Sequence, residues 1–250
     1  MANNENTLIE DFELYFRIEL VSSEARAKEA YGVRYRVYCE EFKYEATDVF
    51  PDQLETDEFD AQSLHCLIIH KGAERERTAG CVRLVPVCPE KNDGLLPLEE
   101  FCQQSLDDEL IASMQLVREE QCEISRLAVD GEFRRRPGEK ATRFGETQQE
   151  QRTFSLIAVS AFLAAFALGI ITKKTGGFAM MEPFLPRLLK RSGILFEKVG
   201  SDMDYHGIRA PYFISKESLL ENMVPELKGL YDWIYKQVEV EYNNSQVSRK

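Results

Sequence analysis

Tryptophan, histidine and basic charge are all scarce in this chain. There is one tryptophan, Trp233, and there are three histidines, His65, His70 and His206. None of the histidines stands at zinc-site spacing from a cysteine, and the six cysteines contain no CxxC pair, so no metal centre is expected. Lysine and arginine number 31 against 43 acidic residues, a net charge of −12 that excludes the dominant basic surface a duplex nucleic acid requires. Basic charge is confined to short runs at 134–136 and 187–191, which suit a phosphate or an acidic partner. The N-terminus is polar and acidic, with no basic segment followed by an apolar one, so no signal peptide is expected. Cys39, Cys66, Cys81, Cys88, Cys102 and Cys122 include several inside apolar runs, where a reduced thiol acts as a small hydrophobe; a cytoplasmic location follows as an expectation.

What is present suits one large domain. The chain has 250 residues and is 44% hydrophobic, enough to bury a full core. Residues 154–171 are almost wholly apolar and about long enough to cross a bilayer. Their alanines, Ser155, Ser160 and Gly169 would let a helix lie close against a sheet, and strand-like segments bracket them, so the reading is a buried central helix and no stable membrane span. Alternation over 12–20 predicts a strand, with Phe12, Leu14, Phe16, Ile18 and Leu20 on one face. Ser22 or Ser23 caps a helix running to about 42, and 43–63 is a long acidic loop. Strands follow at 64–70, 78–87 and 122–129, with short helices between the last two, then at 178–181, 194–199 and 209–215. This order predicts an α+β fold of acetyltransferase-like (GNAT) layout: a mixed, largely antiparallel sheet flanked by helices, over 1–215, with a C-terminal helical appendage over 216–250.

Glu55, Asp57 and Asp60 crowd three carboxylates into six positions. Such a group persists by pairing with arginines, by holding a cation or by staying in water. Arginines are on offer in unusual places. Arg83 lies among Cys81, Val82, Leu84 and Val85, Arg126 and Glu123 lie among Ile124, Leu127 and Val129, and Arg34 lies on the first capped helix. Charges embedded in apolar strands need partners, and the acidic loop supplies them.

These pieces also form an ordered set: Arg34 with Tyr38, then Glu55, Asp57 and Asp60, then 82–86 around Arg83, then Leu98 with Phe101, then Glu123 with Arg126. In order and spacing the set resembles the acyl-homoserine-lactone synthases and their relatives, the N-acyl amino acid synthases. The resemblance runs over 34–126 with a weaker continuation to 215, and the stretches 183–189 and 206–212 resemble the exosortase-associated acyltransferase branch. The lactone synthases typically carry a tryptophan shortly after the first-helix motif. Here 40–44 has none, which points away from S-adenosylmethionine as acceptor.

The resemblance implies transfer of a fatty acyl group from an acyl-carrier-protein or CoA thioester to the amino group of a small acceptor, an amino acid, with no tightly bound cofactor and with acidic acyl carrier protein as the partner. A lactone synthase using S-adenosylmethionine is the alternative, and a non-catalytic acyl-carrier or lipid-binding module is a third reading. The chemistry needs a base for the amine proton, and Glu123 is the candidate; its bland reading is a salt bridge to Arg126. Backbone N–H groups at Leu127, Ala128 and Val129 are candidate donors to the oxyanion. Arg34, Arg83 and Arg126 are candidates for an acceptor carboxylate, with Glu55, Asp57 and Asp60 positioning them or holding the ammonium. Arg134, Arg135, Arg136 and Gly138 occupy the place of a pyrophosphate loop: Arg135 and Gly138 fit half of the RxxGxG/A pattern, and Lys140 replaces its last small residue. His65 and His70 read as structural, His206 as a residue that shapes the site, and Cys122 as core rather than nucleophile.

Overall fold

The computed structural model describes residues 2–72, 74–134 and 147–247. The chain begins with helix α1 (Ala2–Tyr15), strand β1 (Phe16–Leu20) and helix α2 (Glu24–Arg34), then β2 (Leu64–Lys71) and β3 (Glu76–Pro86). Short helices α3 (Pro97–Cys102) and α4 (Asp108–Ser113) precede β4 (Gln121–Val129). After α5 (Gln148–Thr153) and α6 (Ile157–Ile171) come β5 (Gly176–Met181), α7 (Phe184–Lys190), β6 (Glu197–Lys198), β7 (Met203–Asp204) and β8 (Ile208–Ser215). Helices α8 (Lys216–Asn222) and α9 (Pro225–Val247) close the chain.

The strands form one 8-stranded sheet in the order β1-β2-β3-β4-β5-β8-β6, with β7 paired to β8. Every pairing is antiparallel except β4 with β5. That matches the expected mixed, largely antiparallel α+β sheet. Strand side chains alternate between faces, and this alternation separates core from chemistry. Cys66, Ile68, Val82, Leu84, Cys122, Ile124 and Ala179 share a core with α6 and α9. On the opposite face, Leu67, Ile69, Cys81 and Ala128 pack with Ala30, Val33 and Val37 of α2 and the turn after it. Arg83, Glu123 and Ser125 alternate with the α6-facing residues and so lie on this second face.

Helix α6 is apolar all round because both its sides are covered. Ala161, Leu163, Ala164, Ala165, Ala167 and Leu168 are fully buried between the sheet and α9. By length and composition the segment Gln148–Ile171 would suffice to cross a membrane; in this fold it is the central core helix. Leu219, Leu227, Leu230, Ile234 and Val238 of α8 and α9 belong to the same core cluster, so 216–247 packs as part of it.

Three expected elements differ. Residues 12–15 are helical, and the strand starts only at Phe16. The sequence period was ambiguous there: Phe12 and Phe16 are also four apart, and their rings stack at 4.6 Å on the core side while Leu14 is exposed. The helix after Ser23 has the expected cap, the Ser23 side chain accepting from the Arg26 N–H, but its last stretch, Tyr35–Glu41, is a π-helix. Of 194–199 only Glu197–Lys198 pairs with β8, although Ile194 and Val199 are buried.

Truncating Leu163 in the middle of α6 tests this packing. Leu163→Ala is expected to cost about 2–5 kcal/mol in chemical denaturation, since a fully buried leucine leaves a cavity the sheet cannot close.

Candidate active site

The acidic loop folds over the sheet face that carries Arg83 and Arg126. Asp57 caps a short helical turn, Glu58–Gln62, accepting from the Phe59 N–H, while Asp60 reaches back to the Asp57 N–H. Phe59 is buried beneath the turn and fixes it to the sheet. The carboxylates thereby face the arginines. Arg34 pairs with Glu55 and makes a fork to Asp60 at 2.7 and 3.1 Å. Arg83 donates to Asp57, to Asp60 at 2.9 Å and to the Ser125 hydroxyl at 3.1 Å. Arg126 meets Glu55 at 3.1 Å and Asp57 at 3.0 Å. Three cations and three anions thus close on themselves.

Burial alone would raise the Asp60 pKa, but the charges and hydrogen bonds of Arg34 and the charge of Arg83 overcome it and hold the carboxyl well below the usual range. His65 lies 3.7 Å from Asp60 but is kept neutral, its pKa pushed down to about 4 by burial against the weaker pull of Asp60.

Arg126 owes its position to a backbone irregularity. Between Cys81 and Arg83 the register advances two residues on β3 while β4 moves three, from Ala128 to Ser125. The extra residue makes a β-bulge, and Arg126 adopts φ 51°, a left-handed conformation that costs a non-glycine residue energy. The bulge aims Arg126 at both the acidic loop and the Tyr38 ring, 5.9 Å away.

Beyond Glu123 the sheet forks. β4 pairs with β5 only over Gln121, Cys122 and Glu123, while β5 continues along β8 to Met181. A small cavity of about 60 Å³ opens in this fork, bounded by Glu123, Ser125 and Arg126 of β4, Met180 of β5, Tyr38, Tyr44, Leu98 and the turn around Tyr205. Leu127, Ala128 and Val129 continue β4 on the far side of the bulge, without a β5 partner.

Glu123 is buried at this cavity and makes no ion pair with Arg126; its carboxylate accepts the Leu98 N–H at 2.7 Å. Burial outweighs that hydrogen bond and the charges of Arg83 and Arg126, pushing its pKa up to about 8. The six-membered network pairs its arginines elsewhere, which leaves Glu123 with burial as its dominant influence.

Arg34 and Arg83 are wholly buried, are paired with carboxylates of the acidic loop and do not line the cavity, so neither is placed to grip an acceptor carboxylate. Arg126 alone of the three reaches it. Arg134 pairs with Glu41, donates to the Val129 carbonyl at 2.9 Å and lies over the Phe42 ring. Arg135, Arg136 and Gly138 lie outside the described residues. Burial pushes the Cys122 thiol up to about 12 and that of Cys102, which lines the cavity, up to about 11, so neither is a ready nucleophile. Among the described residues no cluster of metal-ligating side chains occurs. Tyr44, Glu45, Tyr205 and Arg209 also line the cavity, and sequence reasoning did not single them out. The one available signal was an arginine opening the apolar stretch that follows Arg209, the same signal that marked Arg83.

Residues 33–143 match the family described as acetyltransferase (GNAT) domain. The matched region is similar to a GNAT acetyltransferase domain, and the match supports an N-acyltransferase. No curated protein matches the sequence. Among solved structures, TofI in a ternary complex with an inhibitor and MTA is similar, 18% identical, with 84% of this chain and 99% of that chain covered and a TM-score of 0.57. The acyl-homoserine lactone (AHL) synthase LasI is 14% identical over 84% of this chain and 97% of its own, TM-score 0.54. FeeM, an N-acyl amino acid synthase from uncultured soil microbes, is 10% identical over 84% and 94%, TM-score 0.52. The lactone synthases and the N-acyl amino acid synthases of the sequence resemblance thus both share this fold.

Two measurements probe the electrostatics. Arg34→Met leaves Glu55 with Arg126 alone and Asp60 with Arg83 alone in a poorly solvated site, and is expected to cost about 3–5 kcal/mol in urea unfolding. Glu123 keeps its proton in the folded protein up to about pH 8, whereas the unfolded carboxyl ionises near 4.5. Between those values the unfolded chain binds fewer protons, so stability falls as pH rises, by up to about 1.4 kcal/mol per pH unit. Unfolding followed across this range is expected to show a flatter slope for Glu123→Gln.

Proposed function

We propose that the protein transfers a fatty acyl group from a thioester, carried by acyl carrier protein or CoA, to the amino group of a small acceptor, an amino acid. The observation that carries this reading is Glu123: a buried carboxyl with a pKa raised to about 8, unpaired with any arginine among the described residues, at the cavity where β4 and β5 part. A group titrating just above neutrality suits removal of a proton from an amine. The amine nitrogen attacks the thioester carbonyl carbon as Glu123 takes its proton. The negative charge on the oxygen is met by β4 backbone N–H groups around Leu127, Ala128 and Val129. The C–S bond then breaks and the thiolate leaves as the thiol with the proton that Glu123 took from the amine.

Cavity sizes support the two substrates. About 60 Å³ beside Glu123 admits an amino group and a few attached atoms, not a folded polypeptide. A pocket of about 210 Å³, lined by Leu106, Ile111, Leu116 and Phe178 with Glu99 and Arg118 among its polar members, adjoins it through Leu98, which borders both. An acyl chain passing Leu98 would bury its methylenes there, each contributing about 0.8 kcal/mol. FeeM's description as an N-acyl amino acid synthase favours the amino acid acceptor. The second reading, a lactone synthase, is favoured by LasI and by BjaI, described as a CoA-dependent AHL synthase with MTA. Release of methylthioadenosine from S-adenosylmethionine separates it from the first.

Incubation of the protein with acyl thioesters of both carriers and a panel of amino acids is expected to yield acyl amides detectable by mass spectrometry. Glu123→Gln is expected to lower kcat by about 10²- to 10⁴-fold. No amide with any acceptor from folded protein would contradict the reading, and an unchanged product level in Glu123→Gln would remove Glu123 from the chemistry.

A further inference from the structure

The charged groups around the cavity are unequally satisfied. Glu55 is held by Arg34 and Arg126, Arg126 by Glu55 and Asp57, and Glu45 lies 3.3 Å from His206 Nε2. Glu123 accepts from the Leu98 backbone. Arg209 is the exception: it lines the same cavity, is half-buried, and among the described residues makes no ion pair and no side-chain hydrogen bond. Its guanidinium lies over the Tyr44 ring, 5.2 Å from the centroid. A cation held by a ring face keeps its N–H donors in the guanidinium plane free for another ligand.

The backbone holds Arg209 in place. It pairs with Met203, and Ile208 with Asp204, across a hairpin whose tip is Tyr205, His206 and Gly207. His206 and Gly207 have φ of 55° and 92°, and the Gly207 N–H donates to the Asp204 carboxylate at 3.3 Å. The tip packs against Tyr44 through the His206 ring, the two centroids 5.5 Å apart. Arg209 is thus a fork fixed at its base by a tight turn and at its head by an aromatic face, and little ordering remains for a ligand to impose.

We propose that Arg209 binds the carboxylate of the acceptor and makes the enzyme selective for amines that carry an α-carboxylate. This rests on the acyl-transfer reading and names the residue that selects its amino acid acceptor. The carboxylate sits on Arg209 at the mouth, and the amino group points inward to Glu123. A planar guanidinium accepts a carboxylate through two parallel N–H bonds, and it offers nothing comparable to a carboxamide.

Initial rates with decanoyl-CoA and a decanoyl acyl carrier protein test this, using amino acids and the corresponding amino acid amides as acceptors. The wild type is expected to prefer the acids by about 10- to 100-fold in kcat/KM. Arg209→Met is expected to lose that preference by a raised acceptor KM, with kcat and the donor KM nearly unchanged, and Arg209→Lys to recover part of it. Equal use of acids and amides by the wild type, or a preference surviving in Arg209→Met, overturns the proposal and leaves acyl transfer standing. Failure to acylate either acceptor set with either donor overturns the acyl-transfer reading itself.

Discussion

Three arginines, two of them wholly buried, closed on three carboxylates are the constraint from which the site follows. Moving so many charges out of water costs far more than the net stability of a domain unless each is met by a partner and by hydrogen bonds. Here every carboxylate of the set meets two of the arginines: Glu55 meets Arg34 and Arg126, Asp57 meets Arg83 and Arg126, and Asp60 meets Arg34 and Arg83. Each arginine comes from a different element: α2, β3 and β4. The network therefore ties a long loop to a helix and two strands, and it orders a segment that has little apolar surface of its own.

Closure of this network has a chemical consequence. Because Arg83 and Arg126 spend their charge on Asp57, Asp60 and Glu55, Glu123 is left with burial as its dominant influence, and its pKa rises instead of falling. The two kinds of acid on one sheet face are thereby pushed apart, Asp60 well below its usual range and Glu123 well above. Such divergence marks sites of proton transfer. The fork between β4 and β5 begins at Glu123, so the raised carboxyl and the opening of the sheet coincide.

Much of this was legible in the sequence because charge embedded in an apolar strand has few outcomes. Arg83 and Arg126 demanded carboxylates, and the run from Glu55 to Asp60 was close at hand. The α+β layout was legible from the alternation in 64–70, 78–87 and 122–129, and the burial of α6 from its alanines. Less could be read where two periods fit the same residues. Phe12 and Phe16 satisfy helix spacing as well as strand alternation, and tertiary packing on Trp233 and Phe154 decides between them. The bulge at Arg126 leaves no mark in composition, since a left-handed arginine is imposed by the pairing around it. Arg209 was hidden for another reason: what distinguishes it is the lack, among the described residues, of an ion-pair partner, and that is a property of the folded neighbourhood.

The account depends most on the state of one carboxyl group. The side-chain carboxyl carbon of Glu123, labelled with ¹³C and followed by NMR from acid to alkaline pH with Glu123→Gln as the assignment control, reports that state directly. The account predicts a transition near pH 8. A transition near the ordinary value of 4.5 would contradict it, because Glu123 would then be an ionised neighbour of the arginine network, too weak a base to take the amine's proton.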